Sequence, residues 1–300
     1  MMHIPRLRNL PLPELSLIGV TMIWGVTFLI VHIAVEYTGA LLLVGLRFLI
    51  AGILAAILAG RHLRQVTRLE LLAGLSIGAS LFIGYVLQSY GLQTVESSMS
   101  AFLTALYVPL VPLLQWALFR KAPALFSWIG IGLAFAGLLL ISGGSAGHLR
   151  MSTGEIATLG GTIGIALEIM LIGYFAPHVD SRRVTAIQLL AVALFCFLSM
   201  PIAGVEWPEF SWIWVGAVIG LGAASAMIQL VMNWAQKTVS PTRATVIYAG
   251  EPVWAGIVGR IAGERLGPYA LIGGALIVLG VLISELRPSW KSRTDRRAAT

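Results

Sequence analysis

Charge is scarce in this sequence, and cysteine is nearly missing. Only 11% of residues are Asp, Glu, Lys or Arg, against 58% hydrophobic, and the mean hydropathy is +0.89. Repeated apolar runs of that kind exclude a soluble domain and point to membrane-spanning helices. The single cysteine, Cys196, lies inside an apolar segment, so no internal disulfide and no thiolate metal cluster is expected. Metal-ligand spacings, a P-loop and a dinucleotide fingerprint are lacking, which excludes an ATP-driven pump and leaves no cofactor or metal to expect. A cleavable leader is not expected either. Residues Leu7 to Val35 follow Arg6 and Arg8, but the apolar part is too long for a signal peptide and no small-residue site closes it.

What is present is a series of apolar segments joined by short connections. Ten spans are expected, at 14–34, 40–59, 69–92, 98–119, 124–142, 154–176, 185–203, 211–235, 242–262 and 267–286. Each has the length that crosses a ~30 Å hydrocarbon layer at about 1.5 Å per residue. With the N-terminus inside, the inner connections carry Arg6, Arg8, Arg61, Arg64, Arg68, Arg120, Lys121, Arg182, Arg183, Lys237 and Arg243, and the tail carries Arg287, Lys291, Arg293, Arg296 and Arg297. The outer side carries only Arg150, Arg260 and Arg265, together with Glu36, Glu96, Glu155, Glu206, Glu209 and Glu264. Both termini are therefore expected in the cytoplasm, with Ser98, Ser145 and Glu206 in outer loops. The net charge of +7 is a topology signal and needs no nucleic acid. The tail after Pro288 reads as a polar, basic segment near anionic lipid.

The halves resemble one another. Tyr90–Val95 (YGLQTV) aligns with Trp234–Val239 (WAQKTV), Pro109 with Pro252, Gly130 with Gly273, and Gly137 with Gly280. Five spans per half is an odd number, so the second half enters from the opposite side and the repeat is inverted. The expected organisation is all-α: ten transmembrane helices as two inverted five-helix repeats around a central cavity. The first repeat spans 1–143, the second 144–287, and a basic cytoplasmic tail 288–300. Secondary transporters are often built this way, with the solute near the midplane between halves.

Polar and aromatic residues within the spans recur at helical spacing. Span one has Thr21, Trp24, Phe28 and His32; span three Tyr85, Gln88 and Ser89; span four Thr104, Tyr107 and Gln115. Span six has Thr158, Thr162 and Glu168, span eight Ser225, Gln229 and Asn233, and span nine Tyr248 and Glu251. Polar side chains in lipid need partners, so these stripes either converge on a pocket or serve as interhelical glue. The substrate-binding candidates are Trp24, Tyr85, Gln88, Tyr107, Glu168, Gln229, Asn233, Tyr248 and Glu251. Aromatic walls with neutral donors and acceptors suit a zwitterion carrying a ring. Pro109, Pro112 and Pro252 are expected helix breaks. Glu251, directly before Pro252, has two open roles: contact with a proton or an ammonium, or repair of the broken helix. Arg47 is the only cation within a span, and it is expected to pair with an outer-side glutamate; one cation disfavours phosphorylated cargo.

Other patterns have plain explanations. Gly143-x-Ser145-x-Gly147 spells a nucleophile elbow, but no strand precedes it and a Gly/Ser turn accounts for it, with His148 a loop residue. Gly74-x-x-x-Gly78, Gly216-x-x-x-Gly220 and Gly259-x-x-x-Gly263 are expected to let helices approach closely. Trp207, Trp212 and Trp214 read as an interfacial belt.

Several of these residues together resemble one family. Trp24-Gly25-x-x-Phe28, Arg47-Phe48, Ala235-Gln236, Val239-Ser240-Pro241, Glu251-Pro252-Val253 and Gly263-Glu264-Arg265-Leu266 are similar, in order and spacing, to the ten-helix EamA-type exporters of the drug/metabolite transporter superfamily. The first half departs with Phe119-Arg120-Lys121 where the repeat asks for Gly-Glu, and the sixth span lacks the Trp of the first. Within the family the chain looks most like the exporters of aromatic and other bulky amino acids. The resemblance implies a bacterial inner-membrane secondary transporter, not an enzyme, working on a small molecule in the lipid bilayer, with monomer a plausible state. Export of other metabolites or cationic drugs is the alternative; a channel or an intramembrane enzyme is a further one.

Overall fold

A computed structural model describes residues 12–120, 125–143 and 151–284. Among them the chain forms twelve α-helices and no strand. They are α1 (Leu12–Thr38), α2 (Ala40–Ala59), α3 (Arg68–Gly91), α4 (Ser97–Thr104), α5 (Tyr107–Phe119), α6 (Leu125–Gly143), α7 (Thr153–Phe175), α8 (Ser181–Ala203), α9 (Trp212–Ala235), α10 (Pro241–Tyr248), α11 (Glu251–Ala262) and α12 (Pro268–Ser284). Seven helical stretches are long and apolar enough to cross a membrane, so this is an all-α, multi-pass membrane protein. The Gly143–Gly147 motif beyond its first residue, His148, Arg150 and the basic tail lie outside the described residues.

Local chemistry sets the helix starts. Thr67 and Glu70 form a capping box at α3, and Ser152 with Glu155 forms another at α7. Asp180, Ser211 and Ser240 accept from first-turn amides of α8, α9 and α10. Glu96 precedes α4 but makes no capping bond there. That role falls to Glu264, in the turn between α11 and α12. Its Oε1 accepts from the Ser97 amide at 3.0 Å and the Ser97 hydroxyl at 2.6 Å, and its Oε2 from the Ser98 amide at 3.1 Å and the Ser98 hydroxyl. Ser98, expected in an outer loop, is therefore buried in the first turn of α4.

Two expected spans are interrupted. The stretch 98–119 divides into α4 and α5 at Ala105-Leu106, and 242–262 into α10 and α11 at Ala249-Gly250. The breaks lie two or three residues before Pro109 and Pro252, because each proline falls in the first turn of a new helix, where its missing N–H has no intrahelical acceptor to lose. Pro112 does not break the chain as expected: α5 runs through it to Phe119. It lies only one turn into α5, so it removes one early hydrogen bond.

Packing runs chiefly between the halves. α2 lies against α8, α3 against α7 and α8, α1 against α9 and α11, and α6 against α12. Glycines permit the closest approaches. A Cβ on Gly137 would collide with the Gly273 carbonyl, and one on Gly280 would sit 2.6 Å from the Gly130 carbonyl, so α6 and α12 cross antiparallel at near backbone contact. A Cβ on Gly25 would lie 2.5 Å from that of Trp254, which seats α11 on α1. Gly74 and Gly78 abut Ile187 and Ala191 of α8 as expected. Gly216 and Gly220 do not conform: among the described residues nothing outside their own helix lies within 4 Å of a Cβ built there. Gly259 lies under Ser98 and Glu264, while Gly263 ends α11 in the left-handed region at φ 103°.

Trp207 and Trp212 are exposed, and Trp214 donates to the Glu209 carbonyl at 3.0 Å. At the opposite end, Arg183 pairs with Glu70 at 3.0 Å and Arg243 with Glu14 at 3.2 Å.

Candidate functional site

The two helix breaks place the N-termini of α5 and α11 beside a narrow internal cavity. Its wall is made by Trp24, Thr27, Phe28 and Val31 of α1, Arg47 of α2, Tyr85 and Gln88 of α3, Thr104 of α4, Tyr107 of α5, Ile165 and Glu168 of α7, and Glu251 of α11, with Leu92 closing one end. The volume is about 20 Å³, on the scale of one water. Helices must part before a solute enters.

Six of the nine substrate-binding candidates share this wall: Trp24, Tyr85, Gln88, Tyr107, Glu168 and Glu251. All are buried. The Tyr107 hydroxyl donates to Glu251 Oε2 at 3.3 Å, and Gln88 donates to Thr104 at 3.1 Å. Among the described residues the Glu251 carboxylate makes no hydrogen bond to backbone; its partner is the Tyr107 hydroxyl.

The other three stand behind the wall. Tyr248 is fully buried, with its ring edge-on to Trp24 at 5.1 Å and its hydroxyl accepting from Gln236 at 3.3 Å. Gln229 donates to Glu168 Oε1 at 2.8 Å; Gln188 donates to Gln229 at 2.7 Å; Asn233 donates to Gln188 at 3.2 Å. Ser181, near the end of α8 that carries Arg182 and Arg183, donates to the Asn233 carbonyl at 3.0 Å. Glu168 thus begins a ladder of three carboxamides running away from the cavity. Each rung fixes the orientation of the next, because a primary amide has distinct donor and acceptor ends.

Many hydroxyls of the stripes are bound to their own helices. Thr21, Thr158 and Thr162 donate to carbonyls three or four residues earlier, and His32 contacts the Leu92 carbonyl at 2.7 Å. These are packing residues. Pro109 lines an apolar crevice with Leu106, Phe135 and Ile163, and Pro252 lines a groove with Phe102 and Gly256; neither touches the cavity.

Arg47 corrects an expectation. Among the described residues it forms no ion pair. Its Nε donates to Ser225 Oγ at 2.6 Å, and its guanidinium carbon lies 5.4 Å and 5.0 Å from the ring centroids of Phe48 and Tyr85. Those rings lie edge to face at 5.0 Å. Ser225, Phe48 and Tyr85 surround it in place of the expected carboxylate. Gln188 was not among the sequence candidates, although a lone amide in the apolar run Ala186–Ala193 is a signal of its own. No group of His, Cys, Asp and Glu among the described residues is placed to hold a metal.

The EamA-like transporter family matches this chain twice, over residues 12–143 and again over 152–286. The chain belongs to that family. A member of it is a transporter of small solutes, not an enzyme, and the conclusion rests on nearly the whole described length. The chain is 27% identical over 279 residues to an uncharacterized transporter of Archaeoglobus fulgidus, covering 91% of this chain and 86% of that one. It is 28% identical over 291 residues to the uncharacterized inner membrane transporter YedA of Escherichia coli, covering 90% of each. The uncharacterized transporter YoaV of Bacillus subtilis is 21% identical over 280 residues, covering 90% and 95%. A solved crystal structure aligns with a TM-score of 0.66 at 20% identity, over 93% of this chain and 99% of that one, which speaks for the fold alone.

Proposed function

We propose that this EamA-like transporter exports aromatic or other bulky amino acids from the cytoplasm by alternating access. In this reading it has ten spans in two inverted five-helix halves, 1–143 and 144–287, with a cytoplasmic tail at 288–300. The two separate family matches support the halves. So does the reciprocity of the packing: exchanging first-half helices for their partners turns the α3–α7 contact into α9–α1, α3–α8 into α9–α2, and the Gly137–Gly273 approach into Gly280–Gly130. The arginine and lysine distribution supports cytoplasmic termini. The name of the Escherichia coli relative supports an inner-membrane setting.

The observation that carries the substrate reading is the cavity wall itself. Trp24, Phe28, Tyr85 and Tyr107 supply rings, and Glu168 and Glu251 supply two carboxylates for an ammonium or a proton. Trp24, Tyr85, Gln88, Tyr107, Glu168 and Glu251 contact the solute in this proposal, and Gln229, Asn233 and Tyr248 hold them in place. The two carboxylates also favour cationic drugs as a second reading. Purified protein in vesicles, loaded with radiolabelled phenylalanine and tested with and without an imposed proton gradient, separates these. Saturable flux competed by unlabelled aromatic amino acids is expected. Linear flux would indicate a channel, and flux of organic cations alone would replace the amino-acid reading.

A further inference from the structure

Arg47 is a charge with unfinished coordination. It is 2% exposed, in the middle of α2, and a guanidinium does not give up its proton in a protein. A buried charge without a counter-charge is costly, and a structural arginine is ordinarily matched to a carboxylate. Two carboxylates line the same cavity, yet neither is paired with it. Each instead has a neutral donor: Tyr107 for Glu251, Gln229 for Glu168. One cation and two acids are therefore kept apart around one space.

The geometry around Arg47 orients it. Ser225 Oγ donates to the Leu221 carbonyl at 2.7 Å, which leaves its lone pairs to accept from Arg47 Nε. That bond and the rings of Phe48 and Tyr85 hold the guanidinium, and its terminal nitrogens have no acceptor among the described residues. The indole Nε1–H of Trp24, on the same wall, is buried beside the Tyr85 hydroxyl but forms no hydrogen bond of good geometry with it or with any other described residue. Unsatisfied donors with one fixed positive charge call for an anion with two oxygens in a plane. A phosphate dianion would need further cations, and the wall supplies acids instead.

We propose that Arg47 is the carboxylate-binding residue of the cavity, with Trp24 Nε1 as a second donor, and that the solutes carried bear a free carboxylate. This rests on the amino-acid reading above and narrows it: the carboxylate lies at α2 and the ammonium toward Glu168 and Glu251. The guanidinium fork takes both carboxylate oxygens, and the rings that hold it extend into the aromatic wall.

The test compares three probes as competitors of radiolabelled phenylalanine flux in vesicles: phenylalanine, phenylalaninamide and 3-phenylpropanoate. In the wild type the amide should compete about tenfold to a hundredfold less well than phenylalanine, the scale of one charge-assisted contact. Arg47→Gln should raise the KM for phenylalanine by a similar factor and abolish the difference between phenylalanine and the amide. Arg47→Lys keeps the charge and loses the fork, and should fall between. Equal competition by acid and amide in the wild type overturns the proposal, as does an unchanged KM in Arg47→Gln. If Arg47→Gln does not fold, the wild-type comparison still decides. If the wild type carries no aromatic amino acid, the functional reading fails separately. The carboxylate site is then judged by thermal stabilisation: 3-phenylpropanoate but not its amide should raise the melting temperature of the wild type, and identical effects overturn the proposal.

Discussion

Glu264→Gln is the sharpest perturbation of the bundle, because Glu264 caps from a distance a helix that has no cap of its own. Its two oxygens receive four donors, two amides and two hydroxyls, from Ser97 and Ser98. Glutamine offers one carbonyl oxygen to one serine and turns an NH2 toward the donors of the other. Two bonds are lost, and the remaining two lose their charge assistance and the interaction with the α4 dipole. Glu264 is only partly buried, so the loss is discounted for solvent screening to about 2 kcal/mol. For a bundle of this size that is a fall of roughly 4–8 °C in apparent melting temperature. Thermal unfolding of detergent-solubilised protein, followed by tryptophan fluorescence at pH 7, measures it. Partial burial pushes the Glu264 pKa up, but the hydrogen bonds from Ser97 and Ser98 outweigh this and hold it below its ordinary value. The folded state therefore binds this proton less readily than the unfolded state. The advantage of the wild type is full above about pH 4.3, the ordinary glutamate pKa, and is lost as pH falls through the lowered value. An unchanged melting temperature at pH 7, or a gap between wild type and variant that closes between pH 7 and pH 5, would refute the reasoning.

Three further outcomes follow from the packing and the cavity. Gly137→Leu should lower the melting temperature by several degrees, because its side chain meets the Gly273 carbonyl, whereas Gly216→Leu, with nothing within 4 Å, should leave it unchanged. Glu251→Gln keeps the hydrogen bond from Tyr107 and should fold normally, but transport should be lost at every pH; normal transport with the wild-type pH profile would exclude Glu251 as the ionising group. Cysteines at Glu206 and Lys237, both exposed, should react with an impermeant thiol reagent from opposite sides of the membrane, Glu206→Cys in intact spheroplasts and Lys237→Cys only after lysis. The native Cys196 is fully buried and serves as the silent background.

The spans were legible because an apolar run of about 20 residues has few other fates, and most observed helices begin within a few residues of the expected positions. The breaks were harder to place. Proline marks a missing donor, but α5 and α11 restart just ahead of Pro109 and Pro252, so the actual discontinuities fall at Ala105-Leu106 and Ala249-Gly250. Helical stripes found Trp24, Tyr85 and Glu168 on the cavity wall, since each face is a property of one helix. They did not separate wall residues from those behind them: Tyr248 shares the periodicity of Glu251 yet stops short of the space, and the stripe of Ser225, Gln229 and Asn233 lies wholly behind the wall. Pairings between distant residues had no local signature. Ser225 lies 178 positions from Arg47, and Glu264 lies 167 from Ser97, so the expected partner of Arg47 was wrong and the cap of α4 was not anticipated.

The packing between halves also bears on how the protein is made. α2 has its main neighbours in α8 and α9, α3 in α7 and α8, and α6 in α12, while α1 and α2 touch each other only slightly. During synthesis the first six helices enter the bilayer with the partners of their inner faces still on the ribosome or in the tunnel. Arg47 and Glu70 must wait in lipid or at its edge until Ser225 of α9 and Asp180 and Arg183 at the start of α8 arrive, whereas Gln88 finds Thr104 within the first half. A chain stopped after α6 has crossed the membrane without acquiring an interior. Damage to α8 or α9 therefore removes principal partners of α1, α2 and α3 at once, long after those three helices have entered the bilayer.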